Sequence, residues 1–121
     1  MNGGAAVPLP TVVRYETELM LLAYCQLGTP EDTQDKFRLA FRTRGDSITL
    51  YECHGPWNPA FPKESRRPIA QFRYISEQQA WALFWADAKL KWHLYHKLQP
   101  TADFPQLIVE VHTDPDGVFF K

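Results

Sequence analysis

Apolar and polar residues alternate through the middle of the chain, and this alternation predicts a β-sheet. Between residues 37 and 53 it runs on both sides of Gly45-Asp46, and a glycine-first pair is typical of a two-residue type II′ hairpin turn. A turn at this point pairs Phe41 with Leu50 across the hairpin. The residues next to them in the chain then lie on the opposite face, because strand side chains alternate.

Three later runs, IAQFRYI, WALFW and LKWHLY, alternate in the same way and predict three further strands. One turn is expected at residues 76–79 and another at Asp87-Ala88. The second turn sets apolar residues of the last two strands opposite each other on the core face: Trp81 with Leu94, Leu83 with Trp92, and Trp85 with Leu90.

This register decides which face of the sheet carries each residue of LKWHLY. Trp92 and Leu94 are expected to point into the core. Lys91, His93 and Tyr95 are expected to point to the other face, since a shift of one residue reverses every side chain.

The segment 11–27 has helical periodicity, and its polar residues Glu16 and Glu18 lie off the apolar stripe. Gly28 and Pro30 supply a stop. The stripe expected to face the core consists of Val12, Leu19, Leu22 and Ala23.

The end of the chain predicts a second helix. Asp103 and Gln106 form an aspartate-led variant of the capping box, and Pro115 ends the helix. Its apolar residues recur at i, i+3, i+4 and i+7: Phe104, Leu107, Ile108 and Val111. Residues 117–121, GVFFK, are expected to form a short last strand that returns Phe119 or Phe120 to the core.

Together these elements predict an α+β fold with an N-terminal helix, a five-stranded antiparallel meander, a C-terminal helix and a short last strand. Both helices are expected to pack on the face of Trp81, Trp85 and Trp92. Residues 1–10 are small and proline-rich and predict a mobile tail, so the domain spans 11–121. Residues 29–36 and 54–68 predict loops.

Composition narrows the class of protein. The chain has 121 residues, 45% of them hydrophobic, which suits one globular domain with a single core. No run reaches the length of a membrane span, and the N-terminus lacks the features of a signal peptide, so we expect a cytoplasmic protein without a membrane partner. Cys25 and Cys53 lie outside any CxxC pattern, which argues against a disulfide.

Metal-ligand residue types occur, but their spacing argues against a metal site. Cys53, His54, His93, His96 and His112 are the candidates. Residues 93 and 96 have opposite parity on a strand, and a closed zinc site needs four ligands. The acidic segment HTDPDG lacks the carboxylate that would close a calcium loop. We therefore expect no metal and no cofactor.

Acid–base catalysis has one candidate pair, Glu52 and His54. Both share the core-facing parity near the end of a strand and lead into the long loop. Desolvation would raise the pKa of such a carboxyl and allow it to activate the imidazole. A small hydrolase-like enzyme centred on this pair is one interpretation; the other is that both groups merely secure the loop.

The face opposite the core predicts a different function. Cations gather there with no acid at a strand position: Arg38, Arg42, Arg44, Arg73, Lys89, Lys91 and His93. The aromatic residues expected among them are Tyr51, Phe84 and Tyr95. Rings beside cations on an open sheet are typical of proteins that bind single-stranded nucleic acid or another polyanion. The alternatives are a solvated basic surface, and a protein-interaction domain or homodimer that pairs through a sheet edge.

The segments ECHGPW, IAQFRY, WALFWADAKLKWHLY and a closing acidic turn before VFF carry a resemblance. The chain resembles a bacterial family of small proteins with no established activity, whose members share an LKWHxY and FF signature. The resemblance spans about residues 15–121 and implies a shared fold without a mechanism. Two positions depart from the pattern: His54 stands where arginine is expected two residues after Glu52, and Lys121 where glycine is expected.

Overall fold

The computed structural model describes residues 8–27, 37–55 and 65–121, and in these ranges the predicted α+β architecture is confirmed. The elements in chain order are α1 (Thr11–Leu27), β1 (Phe37–Arg44), β2 (Ser47–His54), β3 (Ser65–Ile75), β4 (Ala80–Ala86), β5 (Trp92–Leu94) and α2 (Phe104–Thr113). The strands form one antiparallel sheet in the order β1-β2-β3-β4-β5. The predicted loop at 29–36 lies outside the described residues, as does most of the predicted tail.

The β1–β2 hairpin has the predicted register. Phe41 lies opposite Leu50 across the turn. Gly45 has a φ of +59°, whereas Asp46 is absent from the positive-φ residues, which is the φ pattern of a type II′ turn. Leu9 is buried and its backbone N–H donates to the Gly45 carbonyl at 3.3 Å, so ordered packing begins before residue 11.

The β3–β4 hairpin is also as predicted, with its turn at residues 76–79. Phe72 lies opposite Leu83, and Tyr74 opposite Trp81. The predicted loop at 54–68 is shorter than expected, because β2 includes residue 54 and β3 begins at residue 65. Its residues 56–64 lie outside the described part of the chain.

Both helices pack on one face of the sheet. The buried residues of α1 and α2 belong to the same cluster as those of the strands, among them Leu21, Leu50, Phe72, Leu107 and Val111. In α2 the predicted apolar stripe is confirmed, with Ile108 half-buried at its edge. Asp103 is the N-cap residue, but its side chain makes no capping hydrogen bond, so the predicted capping box is wrong.

The core-facing stripe predicted for α1 is wrong. The side chains buried against the sheet are Thr17, Leu21 and Cys25, with Val13 and Tyr24 half-buried beside them. The stripe chosen from the sequence faces outward instead: Val12, Leu19, Leu22 and Ala23 are exposed. The helix has apolar residues on two sides, and packing against β1 selects the less hydrophobic one.

The predicted last strand is absent from residues 117–121. The carboxylate of Asp114, which ends α2 in the left-handed conformation, accepts hydrogen bonds from the backbone N–H groups of Val118, Phe119 and Phe120 at 2.9, 3.1 and 2.9 Å. These donors are therefore satisfied by a side chain rather than by a strand ladder. Phe119 is fully buried, so its predicted return to the core is confirmed.

The register predicted between β4 and β5 is also wrong. Phe84 lies opposite Leu94, Trp85 opposite His93, and Ala86 opposite Trp92. The turn is longer than Asp87-Ala88, because the Asp87 carboxylate accepts backbone hydrogen bonds from residues 89 and 91 at 2.8 and 2.9 Å. Leu90 takes a positive φ of 63° inside it.

This longer turn shifts the pairing by three residues. Because three is odd, every side chain of β5 lies on the face opposite to the predicted one. Trp92 and Leu94 therefore lie on the side away from the helices. His93 and Tyr95 lie on the helix side, where Tyr95 is buried.

Asp87 makes the turn sensitive to acid. Its hydrogen bond with His93 (Oδ2 to Nε2, 2.7 Å), and those from the backbone N–H groups of Lys91 and Lys89, lower its pKa from 3.8 to about 2. A carboxyl whose pKa is lower in the folded than in the unfolded state stabilises the fold above its unfolded pKa, and this contribution disappears as the pH falls through the folded pKa.

We therefore expect that Asp87→Ala lowers the free energy of unfolding at neutral pH, and that its difference from wild type shrinks between about pH 4 and pH 2. Urea unfolding at a series of pH values measures this. Asp116→Ala is the control, because Asp116 pairs only at the surface with Lys97. A difference that stays constant across this range would show that the charge of Asp87 does not hold the turn.

Candidate functional site

The sheet face that points away from the helices, called here the outer face, is basic and aromatic. The cross-strand register aligns Arg42, Thr49, Gln71, Phe84 and Leu94 in one row over all five strands. The neighbouring row contains Arg44, Ser47, Arg73 and Ala82. At the strand positions of this face that the structure describes, there is no aspartate or glutamate.

A groove of about 280 Å³ opens on the outer face. Arg42 and Arg44 line it from β1, Tyr51 from β2 and Trp92 from β5. The ring of Trp92 reaches across the small Ala86 beside it toward β3, since Gln71 lines the same groove. The groove therefore combines two exposed guanidinium groups with two aromatic rings.

A second depression of about 290 Å³ adjoins the first. Arg42 and Tyr51 line both, and Arg38 and Arg66 complete the second. Arg66 is not among the residues predicted for this face, because it lies within the predicted loop at 54–68, whereas in the structure it belongs to β3. The two depressions extend the basic surface along β1 and β2.

Arg73 is half-buried, whereas the other arginines of the outer face are exposed. Its Nε donates to Gln71 Oε1 at 2.6 Å, and its guanidinium lies 3.8 Å from the centre of the Phe84 ring. Gln71 Nε2 in turn donates to Thr49 Oγ1 at 3.0 Å. This chain of contacts fixes the floor of the groove, so Arg73 is better placed to position Gln71 than to meet an anion.

The predicted residues of the outer face divide into three groups. The structure brings together those carried by the first four strands: Arg38, Arg42, Arg44, Arg73, Tyr51 and Phe84. The prediction is wrong for His93 and Tyr95, which the three-residue shift in register places on the helix side. Lys89 and Lys91 lie exposed in the turn before β5.

His93 is committed to contacts on the helix side. Its ring stacks on Trp85 with centroids 4.7 Å apart, and its Nε2 shares a hydrogen bond with Asp87. In its place the outer face gains Trp92 and Leu94. Neither residue is predicted on this face, because the predicted turn at Asp87-Ala88 has only two residues. The signal for a longer turn is Asp87 itself, since an aspartate that begins a turn commonly accepts hydrogen bonds from the backbone two residues on.

Glu52 and His54 form the second candidate site, on the helix side at the end of β2. His54 Nε2 lies 2.6 Å from Glu52 Oε1, and Arg67 Nη2 donates to the same oxygen at 3.0 Å. Arg67 also donates to the Phe119 carbonyl, and the His54 ring packs edge-on against Phe37. A Glu–Arg ion pair is thus present even though His54 stands at the position where arginine was expected.

The pKa of Glu52 shifts in the direction opposite to the one predicted. Burial raises its pKa, but hydrogen bonds from His54 and Arg67 and the charge of Arg67 outweigh that effect, so the pKa is lowered. A carboxylate held ionised by the Arg67 guanidinium and by two hydrogen bonds is a weaker general base than the desolvated carboxyl expected from the sequence. The cluster ties β2, β3 and the C-terminal segment together.

Three further features of the described ranges concern metal binding, thiol reactivity and membrane spanning. Within them, no three His, Cys, Asp or Glu side chains are close enough to hold a metal ion. Cys25 and Cys53 are buried free thiols, and burial raises the pKa of Cys25 to about 11, which makes it a poor nucleophile. Neither helix of these ranges is long and apolar enough to cross a membrane.

A match to a family model shows the family to which the chain belongs. The family model described as Domain of unknown function (DUF3024) matches residues 9–121. The chain belongs to the DUF3024 family. The resemblance to a family without an established activity is thereby confirmed, and the match begins at Leu9, the first buried residue of the part of the chain that the structure describes. No curated protein and no solved structure matches the chain.

Proposed function

We propose that the outer face binds single-stranded nucleic acid, without catalysis. The observation that carries the proposal is the groove in which Arg42 and Arg44 face the rings of Tyr51 and Trp92. The net charge of the chain is −1, so its general field does not attract a polyanion. Attraction has to come from this local segregation of charge.

The arrangement suits a single strand better than a duplex. A single strand can present phosphates to the two arginines of β1 while an unstacked base lies against Trp92 or Tyr51. Stacking of this kind contributes about 1–3 kcal/mol per base and tolerates any sequence. In a duplex the bases are already stacked on one another, so the rings would have no partner.

The groove can also contact the edge of a base. Ser47 and Gln71 line it, and the Gln71 amide is held by Thr49 and Arg73. A fixed amide costs less entropy when it binds than a mobile one. These contacts would add modest sequence preference to a mainly electrostatic interaction.

The test is the salt dependence of oligonucleotide binding. Each phosphate contact releases counterions and contributes about −0.7 to the slope of log affinity against log salt for a single strand. Changing both Arg42→Gln and Arg44→Gln should therefore weaken binding and flatten the slope by about 1.4. Trp92→Ala should weaken binding with the slope nearly unchanged, because stacking releases no counterions. Fluorescence anisotropy with a labelled oligothymidine at several salt concentrations measures both quantities.

Arg14→Gln is the control for the loss of one positive charge outside the groove, since Arg14 lies on α1 on the far side of the sheet. Its affinity should equal that of wild type. Heparin and duplex DNA of equal length are the competitors. Equal affinity for heparin, together with no effect of Trp92→Ala, would identify a general polyanion surface. Failure to bind the single strand below about 100 μM at low salt would contradict the proposal.

A further inference from the structure

The second depression lies at one end of the outer face and concentrates positive charge there. Arg38 and Arg42 line it from β1, and Arg66 lines it from β3. The side chains of all three arginines are exposed. Ala40 and Cys53, which have short side chains, line the depression between them. Because short side chains separate the long ones, the three arginines surround a concave surface.

The cross-strand register sets the spacing of the three arginines. Cys53 of β2 pairs with Arg38 on one side and with Arg66 on the other. Since neighbouring strands lie about 4.8 Å apart, the backbones of these two arginines are roughly 10 Å apart. Arg42 lies four residues further along β1, roughly 13 Å from Arg38. Long, forked guanidinium side chains placed at these distances can reach one anion held between them.

The charge around the second depression suits the end of a nucleic-acid strand better than its interior. An internal phosphate carries one negative charge. A terminal phosphate monoester carries about −1.5 to −2 at pH 7 and offers three strong acceptor oxygens. Three guanidinium groups around one concavity therefore complement the monoester better. Among the residues that the structure describes, no aspartate or glutamate lines this depression.

We propose that the second depression binds the terminal phosphate monoester of a single strand, an assignment that rests on the proposed function because it concerns the end of the same ligand. Arg42 and Tyr51 line both the second depression and the groove, so a strand can pass from one to the other along the surface. With the terminal phosphate between the three arginines, the first base lies beside the Tyr51 ring. The outer face then prefers phosphorylated strand ends over internal segments.

Fluorescence anisotropy with three oligothymidines of equal length tests the proposal. One has a hydroxyl group at each end, one has a 5′-phosphate and one has a 3′-phosphate, and the label is attached to an internal base. The wild type should bind at least one phosphorylated strand about tenfold more tightly than the hydroxyl strand, because the terminal phosphate adds charge-assisted hydrogen bonds. The strand that shows this advantage identifies the end that the depression holds.

Arg66→Gln and Arg44→Gln form a matched pair of variants, since each removes one exposed guanidinium from the outer face. Arg66 lines the second depression, whereas Arg44 lines the groove. Arg66→Gln should reduce the tenfold advantage of the terminal phosphate to about twofold or less. Arg44→Gln should weaken the binding of all three strands and leave the advantage intact. Arg38→Gln should act like Arg66→Gln and repeats the test from a different strand of the sheet.

The outcomes separate this proposal from the proposed function. Equal affinity for the three strands would overturn the terminal-phosphate site, while binding of the hydroxyl strand would still support the proposed function. An advantage that Arg66→Gln and Arg44→Gln reduce alike would also overturn the site, because the extra charge would then be attracted by the whole face. If none of the three strands bound, the proposed function would fall, and the terminal-phosphate site with it.

Discussion

Replacing Phe72 by alanine is expected to lower the free energy of unfolding by about 3–5 kcal/mol, the usual range for the loss of a buried aromatic ring. Phe72 is fully buried, and its ring centroid lies 4.8 Å from that of Phe104 on α2. It also lies opposite Ile48 on β2 and Leu83 on β4. The ring therefore joins three strands to a helix, and its removal leaves a cavity that none of these elements can fill alone.

Phe84→Ala is the control for this prediction. It deletes the same ring from the next strand, but on the outer face, where Phe84 is half-buried and contacts Arg73. Its destabilisation should be less than half of that caused by Phe72→Ala. Equilibrium unfolding in urea, followed by circular dichroism, gives both values. Equal losses would mean that the buried face of the sheet is wrongly assigned.

The two long hairpins could be predicted from the sequence because local signals agree there. Gly45 fixes one turn, and the alternation on both sides of it admits a single register. In the second hairpin Phe72 and Leu83 each sit within a strongly alternating run. Where turn chemistry and alternation point to the same register, no knowledge of the tertiary structure is needed.

The register of β5 could not be predicted because alternation alone does not distinguish its two faces. The run LKWHLY places Trp92 and Leu94 on one side and Tyr95 on the other, and all three are hydrophobic enough for a core. The choice depends on the Asp87 carboxylate, whose bonds to residues 89 and 91 lengthen the turn. A hydrogen-bonded turn thus outweighed the preference for burying tryptophan.

The side of α1 that packs on the sheet could not be predicted for a related reason. The sequence shows an apolar stripe but does not say whether the partner is the chain's own sheet or another surface. Thr17 and Cys25, which the sheet selects, are less hydrophobic than Leu19 and Leu22, which it leaves exposed. Periodicity located the helix correctly, whereas its orientation is a tertiary property.

The residues of the candidate site also divide into those that could be predicted from the sequence and those that could not. Arg42, Arg44 and Tyr51 belong to the predictable hairpin and lie where expected. The aromatic partner in the groove, Trp92, belongs to the strand whose face was reversed. The basic part of the surface could therefore be predicted, whereas one of its two rings required the structure.

Tyr95 is expected to behave as a core residue, in contrast to its predicted place on the outer face. It is 4% exposed, and its ring centroid lies 5.1 Å from that of Phe119. Its hydroxyl donates to Glu110 Oε2 at 2.6 Å. Tyr95→Ala should therefore lower the free energy of unfolding by about 3–5 kcal/mol. Tyr95→Phe keeps the ring and should cost about 1.5–3 kcal/mol for the lost hydrogen bond to a charged group.

Trp92 should show the opposite behaviour on the same strand. Its side chain is half-buried beside the groove, so Trp92→Ala should cost less stability than Tyr95→Ala while weakening oligonucleotide binding by about 1–3 kcal/mol. Tyr95→Phe should leave binding unchanged, because its ring lies on the helix side of the sheet. Urea unfolding and fluorescence anisotropy on these variants separate the two residues. Suppose instead that Trp92→Ala destabilised the fold more than Tyr95→Ala and left binding intact. This result would support the predicted two-residue turn at Asp87-Ala88 and would show that the Trp92 ring does not line the groove.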